Sequence, residues 1–202
     1  MLTNTGFAMI ANAAVIILEI FGFRVSISER GKTIFAYYTQ ISNLITAASS
    51  VLFLASAAVM PREAAGAAGQ SLQGFAASLR YLSTCMLIMT FLITLCVLVP
   101  MGGGFHRLML SGNGLYHHTL CPVISVASYV LWEPHAAAVW LPVVVTMGYG
   151  FTMLYMNWKQ RFDGPYPFLR VHNQSRRATV LWMVALVLLI AGLSLAVTRV
   201  AR

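Results

Sequence analysis

The sequence predicts an all-α membrane protein, a bundle of six transmembrane helices that form one domain over residues 1–202. Three observations predict it. Only 9% of the residues are charged while 59% are hydrophobic, against roughly 25% charged in a soluble domain. Apolar runs of about 20 residues, enough to cross a bilayer, recur along the whole chain. The polar connections between them are too short to bury a core, which leaves no place for a second, soluble domain.

The spans follow in order. The first is expected over about 6–23. It is longer than a signal-peptide core, lacks a basic leader and has no clear cleavage site after it, so it reads as retained. The second covers about 34–60, the third 81–100, the fourth 115–132, the fifth 137–158 and the sixth 178–197. None shows strand-like alternation, and no internal repeat is evident. Between spans two and three, REAAGAAGQSLQGFAAS is small and polar, a loop or a surface helix. MGGGF, Met101 to Phe105, reads as a flexible connection. Cys85, Cys96 and Cys121 lie inside apolar runs without a metal-knuckle spacing, and are expected as small buried packing residues.

A net charge of +8 invites a nucleic-acid reading. The basic residues instead sit between hydrophobic runs, as topology signals do, and form no amphipathic stripe. Nine of them (Arg24, Arg30, Lys32, Arg107, Lys159, Arg161, Arg170, Arg176, Arg177) fall in odd-numbered connections, and four (Arg62, Arg80, Arg199, Arg202) on the other side. The positive-inside rule then places the odd-numbered connections in the cytoplasm and both termini outside. The chain is expected in a bacterial-type cytoplasmic membrane.

Polar residues inside spans are costly and therefore informative. Glu19 lies about one turn before span one leaves toward the nine-charge face. Thr39 lies just inside span two, which enters from that face, and Asn43 is one turn deeper on the same side of the helix. His117 and His118 occupy the first turn of span four, which enters from there as well. The connection RFDGPYPFLRVHNQSRR adds Asp163, Tyr166, Arg170 and His172. At 1.5 Å per residue the acid, hydroxyl and imidazoles lie roughly 3–8 Å below the interface and Asn43 about 14 Å. The opposite ends of the spans show no comparable set, so a site is expected near the cytoplasmic face.

Each residue also has a plain structural reading. Thr39 could bond back to the carbonyl of residue 35. Glu19 could pair with Arg24 or a histidine. Asn43 could join two helices, and adjacent histidines point about 100° apart, so at most one faces a given site. Tyr37, Tyr38 and Trp158 fit an interfacial belt. Their shared placement favours chemistry. A histidine can take the threonine proton so that the alkoxide attacks an acyl carbon. Glu19 could fix the ring, and Asn43 or backbone N–H groups near Gly164–Pro165 could stabilise an oxyanion. Such a site, just under the interface, suits an ester with long acyl chains and calls for no cofactor. The rival is a Zn²⁺ held by His106, His117 or His118, His172 and Glu19, but there is no HExxH and no clustered ligand spacing. There is no GxSxG either.

The segments YYTQISNL (Tyr37 to Leu44), NGLYHHTLCP (Asn113 to Pro122) and GPYPFL (Gly164 to Leu169) resemble the androgen-induced protein family of small membrane hydrolases and its bacterial six-span relatives. The three motifs come in family order on the family's spans. The resemblance implies a multi-pass threonine hydrolase, of the kind that cleaves fatty acid esters of hydroxy fatty acids. The family threonine carries over to Thr39. The family histidine carries over to His117 when counted from Asn113, and to His118 when counted back from Pro122. Gln40, Ser42 and Asn43 make the surroundings of Thr39 more polar than the family pattern, so the resemblance transfers a reaction class rather than a substrate. Tyr166, in the shared YPFL, is a candidate to close the site. The alternative is a non-enzymatic lipid-binding membrane protein or a small transporter. A transporter usually has repeats, broken helices and a mid-membrane site.

Overall fold

The computed structural model describes residues 3–59, 67–136 and 138–200, and among them every regular element is helical. Helix α1 runs Asn4–Arg30, α2 Tyr38–Val59, α3 Ala67–Ile93, α4 Cys121–Trp132, α5 Trp140–Trp158 and α6 Arg176–Val200. Four helical stretches are long and apolar enough to cross a membrane, namely Asn4–Ala36, Tyr38–Ala57, Gly69–Gly103 and Arg176–Val200. This is fewer than the six expected. The fourth expected span, 115–132, is helical throughout, but its first six residues, Leu115–Leu120, wind as a wide π-helical turn and only the 12 residues of α4 are α-helical. The fifth is the 19-residue α5, which falls outside the four.

Several boundaries move. α1 continues past Phe23 to Arg30, where Thr3 caps its start and Gly31, at φ 59°, ends it. The expected start of span two at Ile34 lies in a 3₁₀ turn, Gly31–Ala36, so α2 begins at Tyr38. The reason is visible at the junction. The Tyr149 hydroxyl on α5 donates to the Ala36 carbonyl at 2.8 Å and accepts from the Tyr38 N–H at 3.1 Å. One phenol thus satisfies backbone groups on both sides of the break. The small polar connection before span three is helical from Ala67 onward and extends α3, while residues 62–66 lie outside the described set. α3 widens into a π-helical segment, Thr94–Gly103, across Pro100, and Gly102 turns the chain at φ 94°.

The polarity of the fold is inverted relative to a soluble domain. α6 exposes Val180, Leu181, Val184 and Leu188, and α1 exposes Ile10, Ile17 and Ile20. Hydroxyls and carboxamides are buried between helices alongside an apolar cluster that includes Tyr81, Met86 and Ile190. Ser42 meets Thr90 and Ser49 meets Ser83, each at 3.1 Å across the α2–α3 seam. Small hydroxyl residues let helices approach closely and bond across the interface. An apolar exterior over a polar seam is compatible with a chain set in lipid. Cys85 and Cys121 are buried as expected, whereas Cys96 is exposed. It sits in the wide turn where α3 loosens.

Two sequence expectations need correction at the far end of the bundle. Arg80 is not a topology charge at a membrane surface but is fully buried on α3, at 0% exposure. Its Nε and Nη2 donate to both oxygens of Glu133 at 2.8 and 2.9 Å. The opposite end therefore does carry a polar set: Asn12 and Ser128 bond Glu133 at 2.8 and 2.6 Å, and Ser50 and Ser125 accept from Arg80. This cluster joins α1, α2, α3 and α4. Reading Arg80 as an interfacial cation missed it, because its partner follows 53 residues later, just past the end of α4. Arg62 and Arg202 lie outside the described residues.

Removing one member leaves the other charge buried and unpaired. Arg80→Met should cost about 3–5 kcal/mol, while Arg80→Met combined with Glu133→Met should recover most of that loss. Thermal unfolding of the purified variants in a mild detergent checks this, and equal losses in the single and the double variant would contradict it.

Candidate functional site

The polar residues expected on one face do meet. Glu19 on α1, Thr39, Gln40 and Asn43 on α2, His117 and His118 on the Leu115–Leu120 turn, and Tyr166 on the loop before α6 form one neighbourhood. Three helical elements and one loop supply it.

His117 is enclosed. Its Nδ1 receives the Gln40 Nε2 amide at 3.1 Å, and its Nε2 lies 3.2 Å from Glu19 Oε2. An amide N–H only donates, so Nδ1 is the acceptor and, in the neutral ring, Nε2 carries the hydrogen toward the carboxylate. The Nε2–Glu19 approach is off the line of a good hydrogen bond. Gln40 Nε2 also reaches Ser26 Oγ at 3.2 Å, and Phe23 packs on the ring with centroids 5.0 Å apart. Glu19 thus pairs with a histidine and not with Arg24. Gly22 makes the space: a Cβ there would lie 2.3 Å from His117 Nε2 and 2.6 Å from Cδ2.

His118 points elsewhere, as adjacent helical residues must. Its Nδ1 lies 2.6 Å from the Leu108 carbonyl. A carbonyl only accepts, so Nδ1 carries the hydrogen and Nε2 of the neutral ring holds the lone pair. The two histidines are therefore held in opposite tautomers by different partners. Of the two, only His118 lines the cavity of about 320 Å³ that Thr39, Gln40 and Tyr166 also line.

Thr39 does not bond back to residue 35. Its Oγ1 lies 3.4 Å from the Tyr166 hydroxyl, which also accepts the Thr39 N–H at 3.3 Å. Among the described residues no hydrogen bond joins Thr39 Oγ1 to either histidine. Tyr166 is stacked on Phe168 with centroids 5.2 Å apart, and burial raises its phenol above the ordinary range, with the Thr39 contacts pulling the other way. It stays protonated and able to donate. The loop that carries it is pinned by Asn157, whose side chain donates to Phe162 O and accepts from Val171 N. Asp163 pairs with Arg170 at 3.7 Å, on the exposed side of this loop.

Thr39 has a second outlook. It also lines a narrow apolar crevice of about 50 Å³ between α2, α3, α5 and α6, with Ile93, Met183 and Leu186 among its walls. Thr39 and Tyr166 stand where the polar cavity and the apolar crevice adjoin.

The oxyanion role expected of Asn43 is not supported. Its amide donates to the carbonyls of Thr39 at 2.7 Å and His117 at 3.4 Å, so its donors are engaged in joining α2 to the histidine turn. Among the described residues no three His, Cys, Asp or Glu side chains are grouped as a metal site would group them. Sequence reading noted Gln40 only as a polar neighbour of Thr39, not as a partner of His117, and missed Ser26 and Gly22. The signal was present for the last two: Gly22 and Ser26 follow Glu19 by three and seven residues, on one helical face. No family model, curated protein or solved structure matches the chain.

Gly22→Ala should force the His117 ring off Glu19 and lower stability by about 1–3 kcal/mol. Gly74→Ala on α3, where a Cβ meets nothing within 4 Å, should leave stability unchanged or higher. Parallel melting curves test the pair, and equal tolerance at both sites would refute the packing role of Gly22.

Proposed function

We propose that the chain is an integral membrane hydrolase of fatty-acid esters, with Thr39 as nucleophile and His118 as general base. In this reading the Gly112–Gly114 lead-in, the wide turn and α4 form one span and α5 another, completing six, and the site faces the cytoplasm. One observation carries the proposal: Thr39 shares a polar cavity with the histidine whose Nε2 is free to accept, and borders an apolar crevice on its other side. An ester has the same division, with an oxygen-rich head and an apolar chain.

The chemistry follows from those groups. His118 Nε2 takes the Thr39 Oγ1 proton, and the oxygen adds to the acyl carbon. Tyr166 stands beside the resulting oxyanion and donates its O–H to it. The intermediate collapses as the alcohol leaves with the proton from His118. Water then gives a proton to His118 and adds to the acyl-threonine; as that intermediate collapses, His118 returns the proton to Thr39 Oγ1 and the fatty acid leaves. His117 is poorly suited to the base role because Gln40 already occupies its acceptor nitrogen. The resemblance of YYTQISNL, NGLYHHTLCP and GPYPFL to the androgen-induced family favours the same reaction class.

The absent hydrogen bond between Thr39 and a histidine favours the second reading, lipid binding without turnover. The two separate cleanly. Purified protein should label with a fluorophosphonate and release fatty acid from a long-chain ester. Thr39→Ala should lose both by at least about 10³-fold, and His118→Ala by a comparable factor. Tyr166→Phe should lose roughly 10²–10³-fold in kcat with little change in KM. Full turnover by Thr39→Ala removes the nucleophile, and lipid co-purifying with an inert wild-type protein supports the binding reading.

A further inference from the structure

The cavity in front of Thr39 has a charge that the hydrolytic reading leaves unused. Arg30, at the end of α1, and Arg107, in the turn His106–Leu110, both line it. Among the described residues no aspartate or glutamate does, and Glu29, next to Arg30 in the chain, is not part of its wall. Arg80 and Arg170 each have a carboxylate within 4 Å. Among the described residues Arg30 and Arg107 have none.

Their placement is specific. The Arg30 guanidinium lies 5.1 Å over the Tyr37 ring, which holds its plane on a wall of the cavity. Arg107 donates Nε to the Gly103 carbonyl at 3.0 Å, so its two terminal nitrogens keep all their hydrogens. Two guanidinium groups from separate elements thus border one concave space with no counter-charge. Like charges in such a place repel, and an anion relieves the repulsion while accepting charge-assisted hydrogen bonds.

We propose that Arg30 and Arg107 form a head-group subsite, so that the cavity takes an amphiphile with an anionic head, carboxylate or phosphate, whose chain passes Thr39 into the apolar crevice. The inference rests on the same site as the hydrolytic reading and adds the two residues, Arg30 and Arg107, that hold the head of an acidic amphiphile in preference to a neutral one. The alternative is that both arginines merely sit at a membrane surface, as basic residues between spans commonly do.

Binding distinguishes these without turnover. Wild-type protein in a neutral detergent is titrated with palmitate, hexadecyl phosphate and hexadecanol, none of which contains an ester. The two anions should bind at least about 10-fold tighter than the alcohol. Arg30→Gln and Arg107→Gln should each weaken the anions about 10-fold and leave the alcohol unchanged, with melting curves confirming that the variants fold. Arg24→Gln, which removes a cation from the same face outside the cavity, should change nothing. Equal binding of all three probes, or an equal loss in Arg24→Gln, overturns the subsite. Selective binding of one anion upholds it and identifies the head. Anion selectivity in a protein that hydrolyses no ester sinks the hydrolase and leaves the subsite standing.

Discussion

The packing of His117 against Gly22 is the constraint on which the site depends. A buried imidazole needs a partner at each nitrogen, because an unmet polar group in an apolar surrounding costs free energy comparable to a lost hydrogen bond. Here Glu19 approaches one nitrogen from α1 and Gln40 the other from α2. The ring reaches them only because residue 22 has no side chain. With His117 fixed, its carbonyl meets Asn43, the wide turn is tied to α2, and the next residue is left facing the cavity. The enclosed histidine positions the open one.

The two polar clusters use the same logic at opposite ends. Near Thr39 the groups are neutral or singly charged, and several acceptors, including Gln40 Oε1 and Asn43 Oδ1, have no partner. Around Arg80 the ion pair is bidentate and surrounded by donors and acceptors from four helices. There both charges are paired, and Asn12 Oδ1 is the acceptor left unmet, so the cluster suits a clamp between helices. Hydroxyl pairs along the α2–α3 seam connect the two regions without large side chains.

Much of this was legible in the chain, for identifiable reasons. Scarce charge and recurrent apolar runs made the helices readable, and the parity of the runs brought Glu19, Thr39 and the histidines to one end. The sequence could not say which histidine turns inward, because that depends on Leu108 and Gln40, which are neighbours only in space. Arg80 was misread because an isolated arginine before an apolar run looks like a boundary marker until Glu133 is seen beside it. Asn43 looked like an oxyanion donor, and the backbone carbonyls that occupy it could not be seen from spacing. The six-span count treated the histidine turn and α4 as one uninterrupted run, whereas the backbone there changes its winding.

That change of winding has a consequence for how such a chain can vary. A π-helical turn holds one more residue than the α-helical turn it replaces. Because the wide turn absorbs that residue, deleting one position within Leu115–Leu120 would restore ordinary winding and leave the two flanks in register. Only the turn itself would rewind, and with it the directions in which the two imidazoles leave the backbone. The histidine turn is therefore a place where the chain can lose a position without displacing α4 or the segment before it.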